Sequence, residues 1–433
     1  MLFPCQLFSV SLCFTLSLVL FGCNTSDKYP ICTINSEQTL SCNGGYSYWI
    51  GDVYATASEV LAITGVSRSK NRSNQWIAFV NNDLSEVIAD HQFNNLYYAD
   101  EHNAPAVIAL PKNQWLVART GHNDTFDNGQ GIIEVTLFDQ KFEPQPSHTL
   151  RTVSGSSYVQ LVKANNKLYL LTRDTNEGWG VFISDDLATT WSDWQAIKLP
   201  PGRKYALIKK ENRSGQNYER IILSTSNHPL DHDQQISYSY MDLAIDDPMR
   251  ELTEDIRLGK AKESNSFNSL LQVSSETSSN IRLLDVYNDN NSSCHLYSSQ
   301  NDLKYKEKWQ LNIIARNVAS ESTVTYEVGN FSGVLGDNAY ITGASIKSCH
   351  YVDGDSIDVL VTSELEESAK STLSLISLDA QTGVVLSEHI IYSSDKKLYR
   401  PVYIEELNYV MFNEAEYWKD YENWSANQII VKL

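Results

Sequence analysis

The sequence has 433 residues, of which 42% are hydrophobic and 11% aromatic, including 24 tyrosines and 9 tryptophans. This composition is that of a chain with a sizeable core, and it excludes extensive disorder. The formal net charge of −19 excludes nucleic acid as the expected partner, because phosphate binding needs a basic surface. An anionic ligand can still bind where a few arginines converge.

An apolar segment near the N-terminus predicts export. The residues from Leu7 to Gly22 are apolar or small and carry no charge, and the run is shorter than the roughly 18 to 20 residues that span a bilayer. We therefore interpret residues 1–22 as a signal peptide. Leu20-Phe21-Gly22-Cys23 resembles a bacterial lipobox, which predicts acylation of Cys23, membrane attachment through that lipid alone and a place at the cell surface or outer membrane. A plain secretory signal is the alternative.

Residues 23–45 are expected to form an N-terminal segment ahead of the main domain. Cys32 and Cys42 lie ten residues apart in ICTINSEQTLSC. In an oxidising compartment two such cysteines can close a small loop. We therefore predict a disulfide between them.

Residues 46–433 show almost no helical periodicity. Runs of about five to eight β-branched and aromatic residues, bounded by Asn, Asp, Gly and Ser, predict β-strands. The runs fall into groups of four at a spacing of about 45 to 55 residues, which is typical of propeller blades. Seven groups are counted, and the last is one strand short, as a ring closed by an N-terminal strand would need. We predict an all-β, seven-bladed β-propeller in a single domain.

Two segments within the strand groups carry further predictions. We assign FNSLLQV (267–273) to the start of the fifth group, since the fourth strand of the preceding group is poorly marked. The segment from Ser184 to Trp191, SDDLATTW, fits the Asp-box pattern S-x-D-x-G-x-T-W, with Ala188 where glycine is usual. In such a turn the aspartate accepts backbone N–H bonds and the tryptophan packs between strands. We expect it between the third and fourth strands of its blade.

The strand register predicts which side chains share a rim. In an antiparallel pair the start of the first strand and the end of the second lie at the same edge. His102 starts a first strand and His122 follows the second strand of the same blade, so both are predicted to lie over the channel mouth. In other blades the start of the first strand or the end of the second strand carries Tyr158, Arg173, Arg203, Tyr205, His228, Arg400 and Tyr403. Taken singly, each is also an ordinary turn or packing residue; together they place His, Tyr and Arg on one rim.

These residue types suit β-elimination from a uronic acid. A histidine near neutrality accepts a proton, a tyrosine hydroxyl donates or accepts one, and an arginine pairs bidentately with a carboxylate. Arginine would neutralise the C6 carboxylate and acidify the C5 proton, a base would remove that proton, and an acid would protonate the departing O4. The chemistry needs no cofactor, and the expected partner is an anionic polysaccharide.

The chain resembles the BNR-repeat seven-bladed propeller polysaccharide lyases, especially the ulvan lyases. The resemblance covers most of the mature chain and rests on HNAPAVIALP…TGHN, SYVQLV…LYLLTR, RKYALI and SNHP. It implies that His102 and Tyr158 are the base and acid, that His122 lies beside them, and that Arg173 neutralises the uronate. It also implies ulvan, a sulfated polymer of rhamnose and glucuronic or iduronic acid, as substrate. The substrate-binding residues expected in addition are Arg203, Tyr205, Arg220 and, from the last blade, Arg400.

Other functions remain open from the sequence. A propeller glycoside hydrolase, sialidase-like or rhamnosidase-like, is one alternative, and acidic residues are plentiful enough for a two-carboxylate mechanism. A sialidase would need an Arg-Ile-Pro segment near the start, whereas Arg400-Pro401-Val402 has another order and lies at the other end. A non-catalytic glycan-binding surface lipoprotein is the second alternative. We expect a monomer in each case.

A structural zinc site is a further hypothesis. The residues expected to approach one another at the edge of two neighbouring blades are His228, His232, Cys294 and His295. Sets of Cys and His suit zinc. Their spacing matches no standard finger, however, and a buried free cysteine is the other interpretation.

Overall fold

The structure is a computed structural model. It describes residues 30–433 except for 36–37, 48–52, 70–71, 95–96, 98–99, 127–128, 165, 198–202, 212–217, 228–233, 245–267, 274–279, 290, 301–307, 321, 337–339, 353, 366–367, 369 and 421. The chain divides into two units, Met1–Ile31 and Cys32–Leu433, and the second unit is described below. The predicted signal segment and Cys23 lie outside the described residues.

The second unit is all-β. Two short strands come first, β1 (Cys32–Ile34) and β2 (Leu40–Asn43). The first sheet contains β3 (Tyr54–Ala57), β4 (Val60–Ser69), β5 (Arg72–Asn81) and β6 (Val87–Gln92). The second contains β7 (Ala106–Leu110), β8 (Gln114–Thr120), β9 (Ile132–Phe138) and β10 (His148–Arg151). The third contains β11 (Ser156–Ala164), β12 (Lys167–Asp174), β13 (Gly178–Ser184) and β14 (Gln195–Ala196).

The later strands continue the same up-and-down order. The fourth sheet contains β15 (Arg203–Glu211), β16 (Tyr218–Asn227), β17 (Gln234–Ala244) and β18 (Asn268–Val273). The fifth contains β19 (Asn280–Asn288), β20 (Ser292–Gln300), β21 (Lys308–Asn317) and β22 (Thr323–Ser332), and a hairpin of β23 (Val334–Leu335) and β24 (Tyr340–Ile341) follows. The sixth contains β25 (Ala344–Cys349), β26 (Ser356–Glu364), β27 (Ser371–Asp379) and β28 (Val385–Ser394). The seventh contains β29 (Lys397–Ile404), β30 (Tyr409–Asp420) and β31 (Asn423–Lys432), joined by β2 and β1.

Short 3₁₀ turns occur at Glu101–Asn103, Pro111–Asn113 and Glu405–Leu407, and the described residues contain no α-helix. Within the described part of the chain, no helix has the length and hydropathy to cross a membrane.

The N-terminal strands complete the last sheet. Strand β2 pairs antiparallel with β31, with Leu40 opposite Ile430, so the three-stranded final group gains its missing strand from the N-terminus. Cys32 lies opposite Cys42 in the β1–β2 pair, and the two are joined by a disulfide. Residues 32–43 therefore belong to the seventh sheet. The expected N-terminal segment thus contributes the strand that the short last group lacks, as the sequence predicts.

One strand group was assigned in the wrong place. Strand β18 (Asn268–Val273) pairs with β17 and is the fourth strand of the fourth sheet, whereas the sequence pattern assigned this run to the start of the next group. The fifth sheet therefore begins at β19, one strand later than expected. The long separation between β17 and β18 hid the pairing, since consecutive strands are usually joined by short connections.

Neighbouring sheets bury apolar side chains between them. Leu116 of β8 and Leu170 of β12 belong to one buried cluster between the second and third sheets. Phe79 of β5 and Trp115 of β8 belong to another between the first and second. Burying a side chain of this size contributes roughly 1.5 to 3 kcal/mol. Stacking of successive sheets thus stabilises the fold.

The turn at residues 184–191 follows β13 and leads to β14, as the sequence predicts for its blade. The Asp186 carboxylate accepts the backbone N–H and the hydroxyl of Thr190 at 2.8 and 2.7 Å. Ala188, at the position where glycine is usual, has a φ of 74°. Trp191 packs against the cluster between the second and third sheets.

First strands of different sheets meet at a common cavity. Its lining includes Tyr54 of β3, Leu161 of β11, Leu207 of β15, Leu284 of β19, Ile346 of β25 and Val402 of β29. Several of these first strands carry a register shift: at Ser157/Gln160 in β11, at Arg203/Tyr205 in β15 and at Tyr399/Val402 in β29. A bulge re-aims the side chains beside it. The starts of these strands can therefore direct residues toward one centre.

Candidate active site

A tight turn before β7 carries the first histidine. The 3₁₀ turn Glu101–Asn103 is capped by Asp100, whose carboxylate accepts the backbone N–H of His102 at 2.8 Å. Ser73 of the first sheet holds the turn from the other side: its Oγ accepts the Asp100 backbone N–H at 3.3 Å and the Asn103 amide at 2.9 Å. His102 is 4% exposed. Its orientation is thus fixed by two sheets.

The second histidine follows the neighbouring strand. His122 lies two residues beyond the end of β8, and its ring stacks on that of His102 with centroids 4.4 Å apart and an interplanar angle of 28°. The structure therefore brings together the two histidines that bracket the β7–β8 hairpin.

One carboxylate joins both rings, and the sequence pattern did not single it out. Asp100 Oδ1 lies 2.5 Å from His102 Nδ1, and Asp100 Oδ2 lies 2.8 Å from His122 Nδ1. Burial raises the pKa of Asp100, but the charges and hydrogen bonds of His102 and His122 outweigh it and hold the pKa below its ordinary value. Burial lowers the pKa of His102, more than Asp100 raises it. The resting site thus contains an ionised Asp100 and a neutral His102.

The same three side chains offer ligand atoms within 4.8 Å of one another. Two ligands on one tetrahedral zinc lie about 3.3 Å apart, given bonds of roughly 2.0 to 2.1 Å. The Nδ1-to-carboxylate distances of 2.5 and 2.8 Å are shorter and are those of charge-assisted hydrogen bonds. We therefore describe these Nδ1-to-carboxylate contacts as hydrogen bonds.

Tyr158 approaches the histidines from the third sheet. It lies at the bulge of β11 with a φ of 58°, a left-handed conformation that is uncommon for a bulky residue and is often found at functional sites. Its Oη is 3.2 Å from His122 Nε2. Burial raises its pKa well above the ordinary value, against the opposing effect of Arg173. Tyr158 is therefore protonated at neutral pH.

Arg173 covers this tyrosine from β12. Its Cζ lies 4.5 Å from the ring centroid of Tyr158 and 5.8 Å from that of Tyr205. Its Nη2 donates to Asn123 Oδ1 at 3.2 Å. The rings of Tyr158 and Tyr205 lie 6.0 Å apart. The arginine predicted from its position after the second strand thus lies beside the side chains of Tyr158 and Tyr205.

Two further residues of this surface were missed by sequence reasoning. Arg282 of β19 lies over the ring of Tyr340 at 4.6 Å, and its charge opposes the burial that raises the pKa of Tyr205 and of Tyr340. Arg282 lies near the start of β19, the same slot as the other rim residues. Because the β18 run was taken as the first strand of this group, β19 looked like a second strand, and its start was not considered as a rim position.

Arg400, which the sequence predicts to bind substrate, is buried in an ion pair. Its guanidinium is 2% exposed and pairs through both nitrogens with the buried carboxylate of Glu101, with Nη2 2.6 Å from Oε1. It also donates to the backbone oxygen of Tyr46 at 3.0 Å. A guanidinium already neutralised in this way has a structural role, so the substrate-binding assignment of Arg400 is wrong.

The remaining arginines of the predicted set lie at opposite ends of one hairpin. Arg203 is paired with Asn227 at the rim end, and Arg220 is paired with Glu211 at the other. Eight residues of strand separate those ends by roughly 25 Å. The backbone of Arg220 therefore lies at the end of the hairpin away from Tyr205, and its assignment as a substrate contact stays a prediction. The side chains of Arg203 and Arg220 lie outside the described part of the structure.

The predicted zinc site lacks a thiolate ligand. Cys294 is joined to Cys349 by a disulfide, and a disulfide sulfur is not the thiolate that zinc binds. His295 is fully buried, with Nε2 2.9 Å from Ser224 Oγ, and burial lowers its pKa to about 3. His228 and His232 lie outside the described residues. The assignment of Cys294 as a ligand is therefore wrong. The sequence did not indicate this disulfide, because its two cysteines are 55 residues apart.

Comparisons with known proteins address the fold. No protein-family model matches the chain, and no curated protein matches it in sequence. Among solved structures, an ulvan lyase of a new polysaccharide lyase family (PL25) aligns with a TM-score of 0.57 at 11% identity, covering 86% of this chain and 91% of its own. The polysaccharide lyase Uly1 aligns with a TM-score of 0.54 at 12% identity, covering 90% and 92%. The NanB sialidase from Streptococcus pneumoniae aligns with a TM-score of 0.42 at 8% identity, covering 94% and 70%. The chain thus has a fold like that of propeller polysaccharide lyases.

Proposed function

We propose that this chain is a seven-bladed β-propeller polysaccharide lyase that cleaves a uronate-containing polymer by β-elimination, with ulvan as its substrate. The observation that carries the proposal is the contact of His122 Nε2 with Tyr158 Oη at 3.2 Å, beside the stacked His102 and beneath Arg173. Seven sheets of four or five strands, the last joined by N-terminal strands, support the blade number.

The protonation states suit the two proton transfers. His102 is neutral because burial lowers its pKa, so it can accept the C5 proton of a uronate. Tyr158 keeps its proton because burial raises its pKa, so it can protonate O4. The C5–H electron pair forms the C4–C5 double bond as the C4–O4 bond breaks.

Arg173 supplies the remaining requirement. Removal of the C5 proton places negative charge on the C6 carboxylate, and a fixed guanidinium stabilises that charge most in the transition state. The hydrogen bond to Asn123 holds Arg173 over Tyr158, where it can meet the carboxylate of a sugar whose O4 faces the hydroxyl.

The lyase structures named above have the same fold, and the sequence resemblance assigns their chemistry to these residues. A glycoside hydrolase would instead use two carboxylates flanking the scissile bond. Here the central carboxylate, Asp100, is engaged by both histidines. This arrangement favours proton transfer by histidine and tyrosine.

The test is incubation of the purified protein with ulvan, following the ultraviolet absorbance of the unsaturated uronyl product. A lyase forms this product, a hydrolase forms new ends without it, and a binding module forms no new ends. His102→Gln should lower turnover by about 10² to 10⁴, whereas His148→Gln, at an exposed histidine of β10, should leave it unchanged. Wild-type protein that forms no unsaturated product from any uronate polymer would refute the proposal.

Export and acylation of Cys23 belong to the same proposal. An acylated enzyme should partition with membranes, and Cys23→Ser should release it, since the acyl chains supply the affinity. A wild-type protein that is wholly soluble and begins at another residue would contradict the lipid anchor.

A further inference from the structure

We infer that Asp100 is a positioning residue that holds both histidines in one tautomer and thereby gives each a separate task. The inference rests on the proposed function for its catalytic consequence. Its structural content, one carboxylate oxygen for each Nδ1, can be tested without any substrate.

The hydrogen bonds fix the tautomers. An ionised carboxylate only accepts hydrogen bonds, so each imidazole nitrogen facing it carries the proton. Oδ1 faces Nδ1 of His102 at 2.5 Å and Oδ2 faces Nδ1 of His122 at 2.8 Å. Both Nε2 atoms are therefore acceptors directed away from Asp100.

The second link separates the roles of the histidines. Because Nε2 of His122 is an acceptor, the Tyr158 hydroxyl donates to it at 3.2 Å. His122 therefore orients the acid, and Nε2 of His102 is the basic atom assigned to the C5 proton. The ring stacking at 4.4 Å keeps the two imidazoles in register. With the opposite tautomer His122 would donate to Tyr158 Oη, and the hydroxyl would be held through its oxygen and not through its proton. In the assigned tautomer the Tyr158 proton leaves its hydrogen bond to His122 when it passes to O4.

Asp100 also stabilises the charge formed during the reaction. When His102 takes the C5 proton it becomes an imidazolium, and the buried carboxylate beside Nδ1 compensates that charge, while the Tyr158 proton passes to O4. This is the orienting role that a buried aspartate has beside a catalytic histidine. Asp100 touches no substrate in this scheme and acts through the two rings.

The surroundings of His102 identify which group controls its titration. The titratable and charged groups around it are Asp100 and Glu101 in its own turn, His122 after β8, Tyr158 in β11 and Arg400 in β29, which pairs with Glu101. Asp100 raises the pKa of His102 against the effect of burial. Removing the carboxylate charge should therefore lower the pKa of His102 further.

The kinetic test is Asp100→Asn, which keeps the size but offers an amide. We expect kcat to fall by about 10² to 10⁴ with little change in KM, as expected when a catalytic histidine adopts the wrong tautomer. The acid limb of the kcat/KM profile should move to lower pH. Asp139→Asn is the matched control, because Asp139 also caps backbone N–H groups but lies on an exposed turn. A loss of kcat without a shift of the acid limb would indicate a purely structural role and overturn the inference.

A second readout needs neither activity nor a folded variant. The ¹⁵N chemical shifts of imidazole nitrogens in histidine-labelled wild-type protein report the tautomer directly. Both His102 and His122 should carry the proton on Nδ1 at neutral pH, and an Nε2-protonated form of either ring would refute the inference. If these tautomers are found but the wild type forms no unsaturated product, the lyase proposal fails while the positioning by Asp100 stands.

Discussion

Arg400 and Glu101 form a buried ion pair across 299 residues of sequence. The arginine lies at the bulge of β29 with a φ of 53°, and the glutamate lies in the turn that carries His102. The pair therefore joins the seventh sheet to the turn that precedes the second sheet and carries His102. It helps to fix the position of that turn.

Breaking this pair should destabilise the protein. Arg400→Met leaves the Glu101 carboxylate buried without its cation, and the free energy of unfolding should fall by about 3 to 5 kcal/mol. The double variant Arg400→Met/Glu101→Gln should recover part of that loss. Denaturant unfolding measures both, with Lys396→Met as control, since its ion pairs are largely exposed and worth about 1 kcal/mol or less. If Arg400→Met leaves the free energy of unfolding unchanged but raises KM, Arg400 binds substrate after all.

Arg173 should be required for turnover. Arg173→Ala removes the guanidinium over Tyr158, and kcat should fall by about 10² to 10³ because the lost interaction is strongest in the transition state. Arg173→Lys keeps the charge but loses the planar guanidinium, so its kcat should lie between those of Arg173→Ala and the wild type. Steady-state rates on ulvan measure this, with Arg151→Ala at an exposed position of β10 as control. Equal loss in both alanine variants would argue for a general charge effect.

Tyr158→Phe should separate chemistry from packing. The substitution removes only the hydroxyl that meets His122, so the melting temperature should change little while kcat falls by about 10² to 10⁴. Since burial raises the pKa of Tyr158, its ionisation should not limit wild-type activity below about pH 10. Tyr417→Phe, at a tyrosine that is 51% exposed, is the control. A phenylalanine variant with wild-type rates would remove Tyr158 from the mechanism.

The rim histidines could be predicted because they depend on local rules. Strand periodicity identifies β7 and β8, and antiparallel pairing then places His102 and His122 at the same end. The same rule places Tyr158 and Arg173 opposite each other in the third sheet, where Ser157 pairs with Arg173. No long-range information is needed for these placements.

Asp100 and Arg282 could not be found by that rule. Asp100 acts from a capping position before the strand, and its partner His122 is brought close only by the turn geometry. Arg282 was missed because one strand of its neighbouring sheet is separated from the rest by a long connection. The Cys294–Cys349 bond likewise joins the fifth sheet to the sixth, a contact that strand patterns within one group do not contain.

The Cys294–Cys349 disulfide should contribute to stability without any metal. The double variant Cys294→Ser/Cys349→Ser should lower the free energy of unfolding by about 2 to 5 kcal/mol, the usual range for a bond that closes a long loop. Purified wild-type protein should contain no zinc bound to these sulfurs by elemental analysis, and chelators should leave its melting temperature unchanged. Zinc that is lost only on mutation of Cys294 would restore the metal hypothesis.

His295 should make stability fall as the solution becomes acidic. Its pKa is lowered to about 3 by burial, with the Arg316 charge acting in the same direction, from an ordinary value of 6.5. Between these values the unfolded chain binds one proton more than the folded one, so this residue lowers the free energy of unfolding by about 1.4 kcal/mol per pH unit as pH falls. His295→Gln removes that contribution, and its denaturant midpoints should change less than those of the wild type between pH 6.5 and pH 5. His148→Gln, at an exposed position, should keep the wild-type dependence of the denaturant midpoint on pH. If His295→Gln keeps that dependence as well, His295 is protonated in the folded protein, and the buried neutral state is wrong.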